Sequence, residues 1–193
     1  MTEYGLVPNW LPTERADSLY ARVLEDMPPR LDETRSNGSL VDDHRWVGDR
    51  YYAERVVPEL VDLADTARAT AQAFFDTPIL PSPFLRSAIT VIVYGPGDWK
   101  DFHYDSNSVT ALLVLGGESD GARTWVAESS DAGSPIRPVD NSTGGLLVFD
   151  GKNVRHGVLP VTNPTPRVTV VFNLYLDGDV NRPVTQDEKV YGN

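Results

Sequence analysis

The pattern of apolar residues changes from helical to strand-like at Phe84. Beyond this point, short segments rich in β-branched and aliphatic residues alternate with turns that contain Gly, Pro, Asn or Asp. We predict strands at residues 87–94, 109–115, 123–127, 144–149 and 167–176. Many short strands after a helical first part favour an α+β fold, in which helices pack on one sheet of an antiparallel sandwich or jelly roll.

Two helices are predicted before that change. The first covers residues 13–27, where apolar residues recur three or four positions apart, and Pro28 ends it. The second begins near Pro58, where a proline in the first turn costs no hydrogen bond, and its apolar stripe continues to Phe74. Residues 30–52 are polar and rich in turn formers, and we predict a long loop there that can include one short strand.

Length and composition fit a single domain. The chain has 193 residues, enough to bury a core, and its contents of 40% hydrophobic and 23% charged residues are ordinary for a globular protein. We expect residues 1–80 to form helical support and a long loop, residues 84–176 to form the β core, and residues 177–193 to form a tail.

Charge and cysteine content exclude several kinds of function. A net charge of −11 disfavours a nucleic-acid partner, because phosphates are bound by basic surfaces. The chain has no cysteine, so disulfides, thiolate metal ligands and cysteine nucleophiles are impossible. The N-terminus lacks the features of a signal peptide, and no apolar run approaches the roughly 20 residues that span a bilayer. We therefore expect a cytoplasmic protein without a membrane partner, and its oligomeric state stays open.

A histidine and an aspartate lie two positions apart in the stretch Val-Tyr-Gly-Pro-Gly-Asp-Trp-Lys-Asp-Phe-His-Tyr-Asp. On an extended strand, His103 and Asp105 would point to the same side. Of the two remaining histidines, His44 and His156, the second lies next to a strongly β-forming segment and is the expected third ligand. Two histidines and one carboxylate are typical of non-haem Fe(II) sites. Taken singly, each histidine is better explained without a metal, His103 as part of a surface His-x-Asp pair and His156 as a ring hydrogen-bonded to a carbonyl.

The order of these residues resembles the Fe(II)/2-oxoglutarate dioxygenase superfamily. The Tyr-Gly-Pro-Gly before His103 and the Gly-Gly-Leu-Leu-Val-Phe-Asp before His156 are most similar to its prolyl-4-hydroxylase-like branch. The resemblance covers residues 84–176. It implies a double-stranded β-helix in which His103, Asp105 and His156 bind Fe(II) and act as the catalytic centre, with 2-oxoglutarate and O₂ as co-substrates.

The resemblance also implies a binding site for 2-oxoglutarate. Alternation along the last strand places Arg167 and Thr169 on one face, and an arginine can grip a carboxylate with two hydrogen bonds. This pair is similar to the family's Arg-x-Ser or Arg-x-Thr element, which holds the distal carboxylate. Tyr94 corresponds to a tyrosine that often hydrogen-bonds the same co-substrate. A surface ion pair for Arg167 and a core position for Tyr94 are the alternatives.

The implied reaction is oxidative decarboxylation of 2-oxoglutarate coupled to attack on an unactivated C–H bond. Asp105 favours hydroxylation, because related halogenases carry a small residue at that position, while desaturation and cyclisation stay open.

We expect a small-molecule substrate, such as an amino acid or a biosynthetic intermediate, and hydroxylation of a peptidyl residue is the alternative. From other classes come a non-oxidative cupin-like metal- or ligand-binding barrel and an inactive interaction module. Cupins typically present His-x-His, so Asp105 counts against the first.

Substrate contacts are predicted at Trp46, Arg123 and Trp125, with Arg45 and Asn107 as further candidates. Recognition commonly lies on loops over a rigid scaffold, and an aromatic residue near an arginine suits a small substrate that carries a carboxylate. The alternatives are a core position for Trp125 and solvated charges for Arg45 and Arg123.

Overall fold

The computed structural model describes residues 4–26, 43–118, 121–131 and 133–179. The end of the first predicted helix at residue 27, residues 30–42 of the predicted loop and residues 180–193 of the predicted tail lie outside this range. The helices are α1 (Thr13–Asp26), α2 (Arg50–Val56) and α3 (Glu59–Phe75). The strands are β1 (Tyr4–Val7), β2 (Asp43–His44), β3 (Trp46–Gly48), β4 (Ile79–Pro81), β5 (Ile89–Tyr94), β6 (Trp99–His103), β7 (Val109–Gly116), β8 (Thr124–Ala127), β9 (Ile136–Pro138), β10 (Leu146–Asp150), β11 (His156–Val158) and β12 (Arg167–Leu176).

The strands form two antiparallel sheets. The major sheet has seven strands in the order β1-β10-β7-β12-β5-β3, and β4 pairs with the far end of β12. The minor sheet has five strands in the order β2-β6-β11-β8-β9. Strand β12 is central to the major sheet, because it pairs with β7 along one side and with β5 and β4 along the other.

Alternation divides the residues of the major sheet between two environments. In β12, Val168, Val170, Phe172 and Leu174 belong to the large apolar cluster on the helix side. The same cluster contains the buried faces of the three helices, so the helices pack on this one sheet as predicted. Intervening residues of the sheet face the minor sheet, and a smaller cluster built on Leu112, Val114, Val126 and Phe149 lies between the two. The strand period therefore separates the packing face from the face that is available for chemistry.

The helices and the main strands agree with the sequence predictions. Helices α1 and α3 begin at Thr13 and just after Pro58, and β12 has the predicted bounds. Strands β5, β7, β8 and β10 each lie within two residues of prediction. No helix in the described ranges is both long and apolar enough to cross a membrane.

The long loop predicted for residues 30–52 is wrong for the part that the structure describes. Strands β2 and β3 occupy residues 43–48, and the Asp49 side chain accepts a hydrogen bond from the backbone N–H of Tyr52 to cap α2. Strand β2 pairs with the minor sheet and β3 with the major sheet. These strands are too short to show a period in the sequence. Their pairing partners also lie far along the chain, so no local pattern predicts them.

A glycine substitution tests the tight turn after β7. Gly117 has φ +75°, and a Cβ there would lie 2.0 Å from the carbonyl oxygen of Pro166. We expect Gly117→Ala to lower the free energy of unfolding by about 3 kcal/mol, measured by urea denaturation, because backbone strain and a steric clash add. Gly133 also has positive φ, but no atom of the described residues lies within 4 Å of such a Cβ. Gly133→Ala should therefore cost only about 1 kcal/mol, from the left-handed backbone alone, and equal losses in the two variants would contradict the clash.

Candidate metal and co-substrate site

Strand pairing in the minor sheet brings the three predicted metal ligands together. His103 ends β6 and His156 begins β11, and the two residues are direct partners across the antiparallel pair. Asp105 lies just past the end of β6, rather than on the strand as the spacing argument assumed. Its backbone N–H donates to the carbonyl of Gly151 at 2.7 Å, which turns the chain back towards the two histidines.

The three side chains are close enough together to bind one shared metal ion. One ligand atom from each of His103, Asp105 and His156 lies within 4.8 Å of the others. Each Nε2 atom is 3.4 Å from an oxygen of Asp105. Ligand atoms about 2.1 Å from one metal and at right angles to each other would lie about 3 Å apart. The group could therefore hold an ion with only small adjustments.

Hydrogen bonds fix the imidazole tautomers in the form that a metal needs. The Nδ1 atom of His103 lies 2.8 Å from the carbonyl oxygen of Asp101, and that of His156 lies 3.0 Å from the carbonyl oxygen of Val154. A carbonyl only accepts, so each Nδ1 carries the proton in the neutral ring. Each Nε2 then presents a lone pair towards Asp105.

The carboxylate of Asp105 is held by a short chain of polar side chains. The Thr110 hydroxyl donates to Asp105 Oδ2 at 2.5 Å. Asn107 Nδ2 donates in turn to the Thr110 oxygen and to the carbonyl of Val109, each at 2.8 Å. Partners of this kind orient a ligand carboxylate and raise metal affinity.

Electrostatics favour an ionised aspartate. Burial alone would raise the pKa of Asp105, but in the absence of metal the imidazoles of His156 and His103, when protonated, hold this pKa well below its usual range through their positive charge and the hydrogen bonds that they donate. Burial lowers the pKa of His103. For His156, the carboxylate of Asp105 outweighs the effect of burial and raises the pKa. A carboxylate ligand must be deprotonated to bind a metal, so the low pKa of Asp105 suits the site.

A fully buried guanidinium lies in the same cavity as the metal ligands. Arg167 Nε donates to Glu118 Oε2 at 2.5 Å, and its Nη2 donates to the hydroxyl of Thr124 at the same distance. Its Cζ lies 5.7 Å from the centre of the Tyr94 ring. Among the described residues, Arg167 Nη1 and the hydroxyl of Thr169 have no hydrogen-bond partner although both are buried.

These two orphaned groups fit a carboxylate ligand. Leaving a buried donor unsatisfied is costly, and a charged donor more so. An oxygen anion between Arg167 and Thr169 would accept from both. The residues predicted to hold the distal carboxylate of 2-oxoglutarate therefore offer the donors that it would require.

A cavity of about 300 Å³ contains both groups. It is lined by His103, Asp105 and His156, by Tyr94, Arg167 and Thr169, and by residues that include Arg45, Val47, Thr90, Lys100, Tyr104, Asn107, Thr110, Thr124, Phe149 and Asn173. The predicted metal ligands and the residues predicted to bind the co-substrate therefore line one cavity.

Three of the predicted substrate contacts lie outside this cavity. Trp46 packs against the helix-side cluster, with its ring 4.7 Å from that of Tyr52, because on β3 it faces away from Arg45 and Val47. Trp125 is not at the cavity either, since its neighbour Thr124 occupies the inward position of β8. Arg123 forms a 3.5 Å ion pair with Asp140. Arg45 and Asn107, the further candidates, do line the cavity.

Three contacts of the predicted site residues were missed by sequence reasoning. Glu118 and Thr124 bind Arg167, and Thr110 binds Asp105. A buried arginine needs a nearby anion, which would have directed attention to an acidic residue at the end of a neighbouring strand. The threonines carry no such signal, because hydroxyl residues are common in strands.

Three solved structures illustrate the similarity of this fold to known proteins. AviO1 from Streptomyces viridochromogenes Tue57 superposes with a TM-score of 0.67 and 20% identity, over 94% of this chain and 92% of that one. A Pseudomonas putida prolyl-4-hydroxylase has a TM-score of 0.58 and 21% identity, over 91% and 92%. The epimerase SnoN, in complex with Fe³⁺, alpha ketoglutarate and nogalamycin RO, has a TM-score of 0.64 and 16% identity, over 91% and 79%. The fold is that of the Fe(II)/2-oxoglutarate oxygenases.

At this level of identity the structural likeness confirms the resemblance for the fold. No protein-family model matches the sequence, and no curated protein matches it either.

A threonine substitution tests the support of Asp105. Thr110→Val keeps the shape of the side chain but removes the 2.5 Å hydrogen bond to the carboxylate. We expect affinity for Fe(II) or Mn(II) to fall by about 10-fold, measured anaerobically by competition with a chelator. Thr66→Val on the exposed face of α3 is the control. Unchanged metal affinity in Thr110→Val would show that the Asp105–Thr110 hydrogen bond does not support the ligand set.

Proposed function

We propose that this protein is an Fe(II)- and 2-oxoglutarate-dependent oxygenase that hydroxylates an unactivated C–H bond of a small molecule. One observation carries the proposal: a His–Asp–His group and a buried guanidinium line the same cavity, and the guanidinium Nη1 has no hydrogen-bond partner in the part of the chain that the structure describes. Iron sites of this type leave coordination positions open for a co-substrate. A dicarboxylic acid could reach from the metal to the arginine.

Each residue has a distinct task in this proposal. His103, Asp105 and His156 would hold the metal, while Arg167, Thr169 and Tyr94 would hold 2-oxoglutarate. Bound iron and 2-oxoglutarate would supply the oxidising power, with O₂ consumed and succinate and CO₂ released. The protein positions the substrate beside the metal and excludes water from it. Asp105 fills the third ligand position, which favours hydroxylation.

We further propose that the two sheets form a double-stranded β-helix within a single domain. The facing antiparallel sheets and the similarity to oxygenase structures support this architecture. It explains why ligands from the minor sheet and an arginine from the major sheet lie in one cavity.

The size of the cavity supports a small substrate. A volume of about 300 Å³ is at the lower end of the range for ligand pockets, roughly 300–1,000 Å³. The co-substrate would itself fill part of that space. Hydroxylation of a peptidyl residue is the rival function, which the similarity to a prolyl-4-hydroxylase supports.

One turnover assay separates these two substrate classes. We expect succinate release above the uncoupled background with at least one compound in a panel of amino acids and small carboxylic acids, because such molecules fit the remaining space. A parallel panel of unstructured peptides should give background release only. Stimulation by peptides alone would reverse the assignment.

The proposed ligand set has a spectroscopic signature. Anaerobic Fe(II) with 2-oxoglutarate should give the weak violet charge-transfer band of the chelate. Asp105→Ala and His156→Ala should abolish the band, because each removes a metal ligand. Arg167→Ala should keep it but raise the half-saturating 2-oxoglutarate concentration by about 10- to 100-fold, since a charge-assisted hydrogen bond is lost.

Two variants serve as controls for this titration. Arg167→Lys retains a positive charge without the guanidinium fork and should lie between the wild type and Arg167→Ala. Arg137→Ala removes an exposed arginine that pairs with Glu128 at 2.9 Å and should behave as wild type. If Asp105→Ala and His156→Ala both keep the band, the metal-ligand assignment is refuted. If the titration of Arg167→Ala is not shifted, the assignment of Arg167 to 2-oxoglutarate is refuted.

A further inference from the structure

Glu118 is an acidic residue next to the predicted co-substrate site, and the sequence analysis did not single it out. It follows Gly117, whose positive φ and close approach to Pro166 turn the chain directly after β7. This turn places Glu118 Oε2 2.5 Å from Arg167 Nε, with 9% of the Glu118 side chain exposed. The other oxygen, Oε1, is buried and has no hydrogen-bond partner among the described residues.

The donors of Arg167 are divided between protein and cavity. Glu118 takes Nε and Thr124 takes Nη2. Nη1 is the one nitrogen of this guanidinium without a partner in the described residues. The carboxylate of Glu118 therefore fixes the rotation of the planar group and leaves Nη1 for a ligand.

We propose that Glu118 is a positioning residue that sets how tightly 2-oxoglutarate binds, by orienting the guanidinium of Arg167 and offsetting part of its charge. This inference rests on the function proposed above. The distal carboxylate of the co-substrate would share one guanidinium with Glu118, and two anions on the same cation repel each other in a buried site. The pair would thus keep the co-substrate exchangeable while giving the buried arginine a partner before the ligand binds.

The surroundings of Glu118 disfavour its negative charge, as the direction of its pKa shift shows. Burial raises the pKa of Glu118, although Arg167 and Arg123 oppose the effect, and Asp140 adds to it. A binding anion would join this group of charges on the cavity side of Arg167.

Glutamine and alanine at position 118 should have opposite effects. Glu118→Gln keeps an oxygen that accepts from Arg167 Nε but removes the negative charge. Its dissociation constant for 2-oxoglutarate, measured by calorimetry on the Ni(II)-loaded protein, should fall by about 10-fold. Glu118→Ala removes the acceptor as well, so the guanidinium loses its orientation and the dissociation constant should rise by about 10-fold.

Two controls make the effect specific. Glu128→Gln makes the same chemical change at an exposed pair with Arg137 and should bind 2-oxoglutarate as the wild type does. Binding of 2-oxoglutaramate, in which an amide replaces the distal carboxylate, should be strengthened less than twofold by Glu118→Gln, because little charge repulsion is relieved.

The outcomes separate this inference from the function on which it rests. A wild-type protein that does not bind 2-oxoglutarate with metal present would refute both. A wild type that binds, together with a Glu118→Gln variant whose affinity is unchanged or weaker, would overturn the role of Glu118 alone. Circular dichroism of each variant checks the fold. If Glu118→Ala does not fold, Glu118→Gln and the amide ligand still decide the question.

Discussion

The antiparallel pairing of β6 with β11 is the constraint on which the candidate metal site depends. It sets His103 directly opposite His156, so the two imidazoles approach without any contribution from loops. The pairing is irregular immediately after His156, and a Cβ at Gly157 would lie 2.8 Å from the carbonyl oxygen of Lys100. Irregularities of this kind often occur beside active sites, where they direct a side chain. A one-residue slip would instead turn one histidine to the opposite face of the sheet.

Strand β12 combines stability and chemistry through its two faces. One face contributes Val168, Val170 and Phe172 to the core beneath the helices. The other contributes Arg167 and Thr169 to the cavity. Because β12 is held by strands on both sides, the buried arginine is attached to one of the most constrained parts of the fold. A rigid attachment is what a carboxylate anchor needs, since positional errors of about 1 Å weaken a binding site.

The sequence predicted those parts of the structure that repeat with a period or follow a known spacing. Alternation in β12 was sufficient to place Arg167 and Thr169 together on the cavity side. The position of Trp46 and the existence of α2 were not predicted, for a different reason. Residues 43–56 are ordered by pairing and packing with distant segments rather than by a local pattern. Glu118 was not predicted either: the need of a buried arginine for an anion points to an acidic partner, but only the fold shows that the end of β7 lies beside the start of β12.

The charge of the cavity is opposite to that of the whole protein. The chain carries a net charge of −11, yet Arg45, Lys100 and Arg167 all line the cavity, and Asp105 is the one carboxylate among the described lining residues. A dianion such as 2-oxoglutarate would be repelled by the protein at long range and attracted near the mouth. A walled cleft of one sign concentrates the field within it, so this local excess of positive charge can select anions even on an acidic surface. The buried guanidinium of Arg167 is then the last of these charges that a dicarboxylate would meet. Glu118, which pairs with this guanidinium, would limit how strongly it attracts the dicarboxylate.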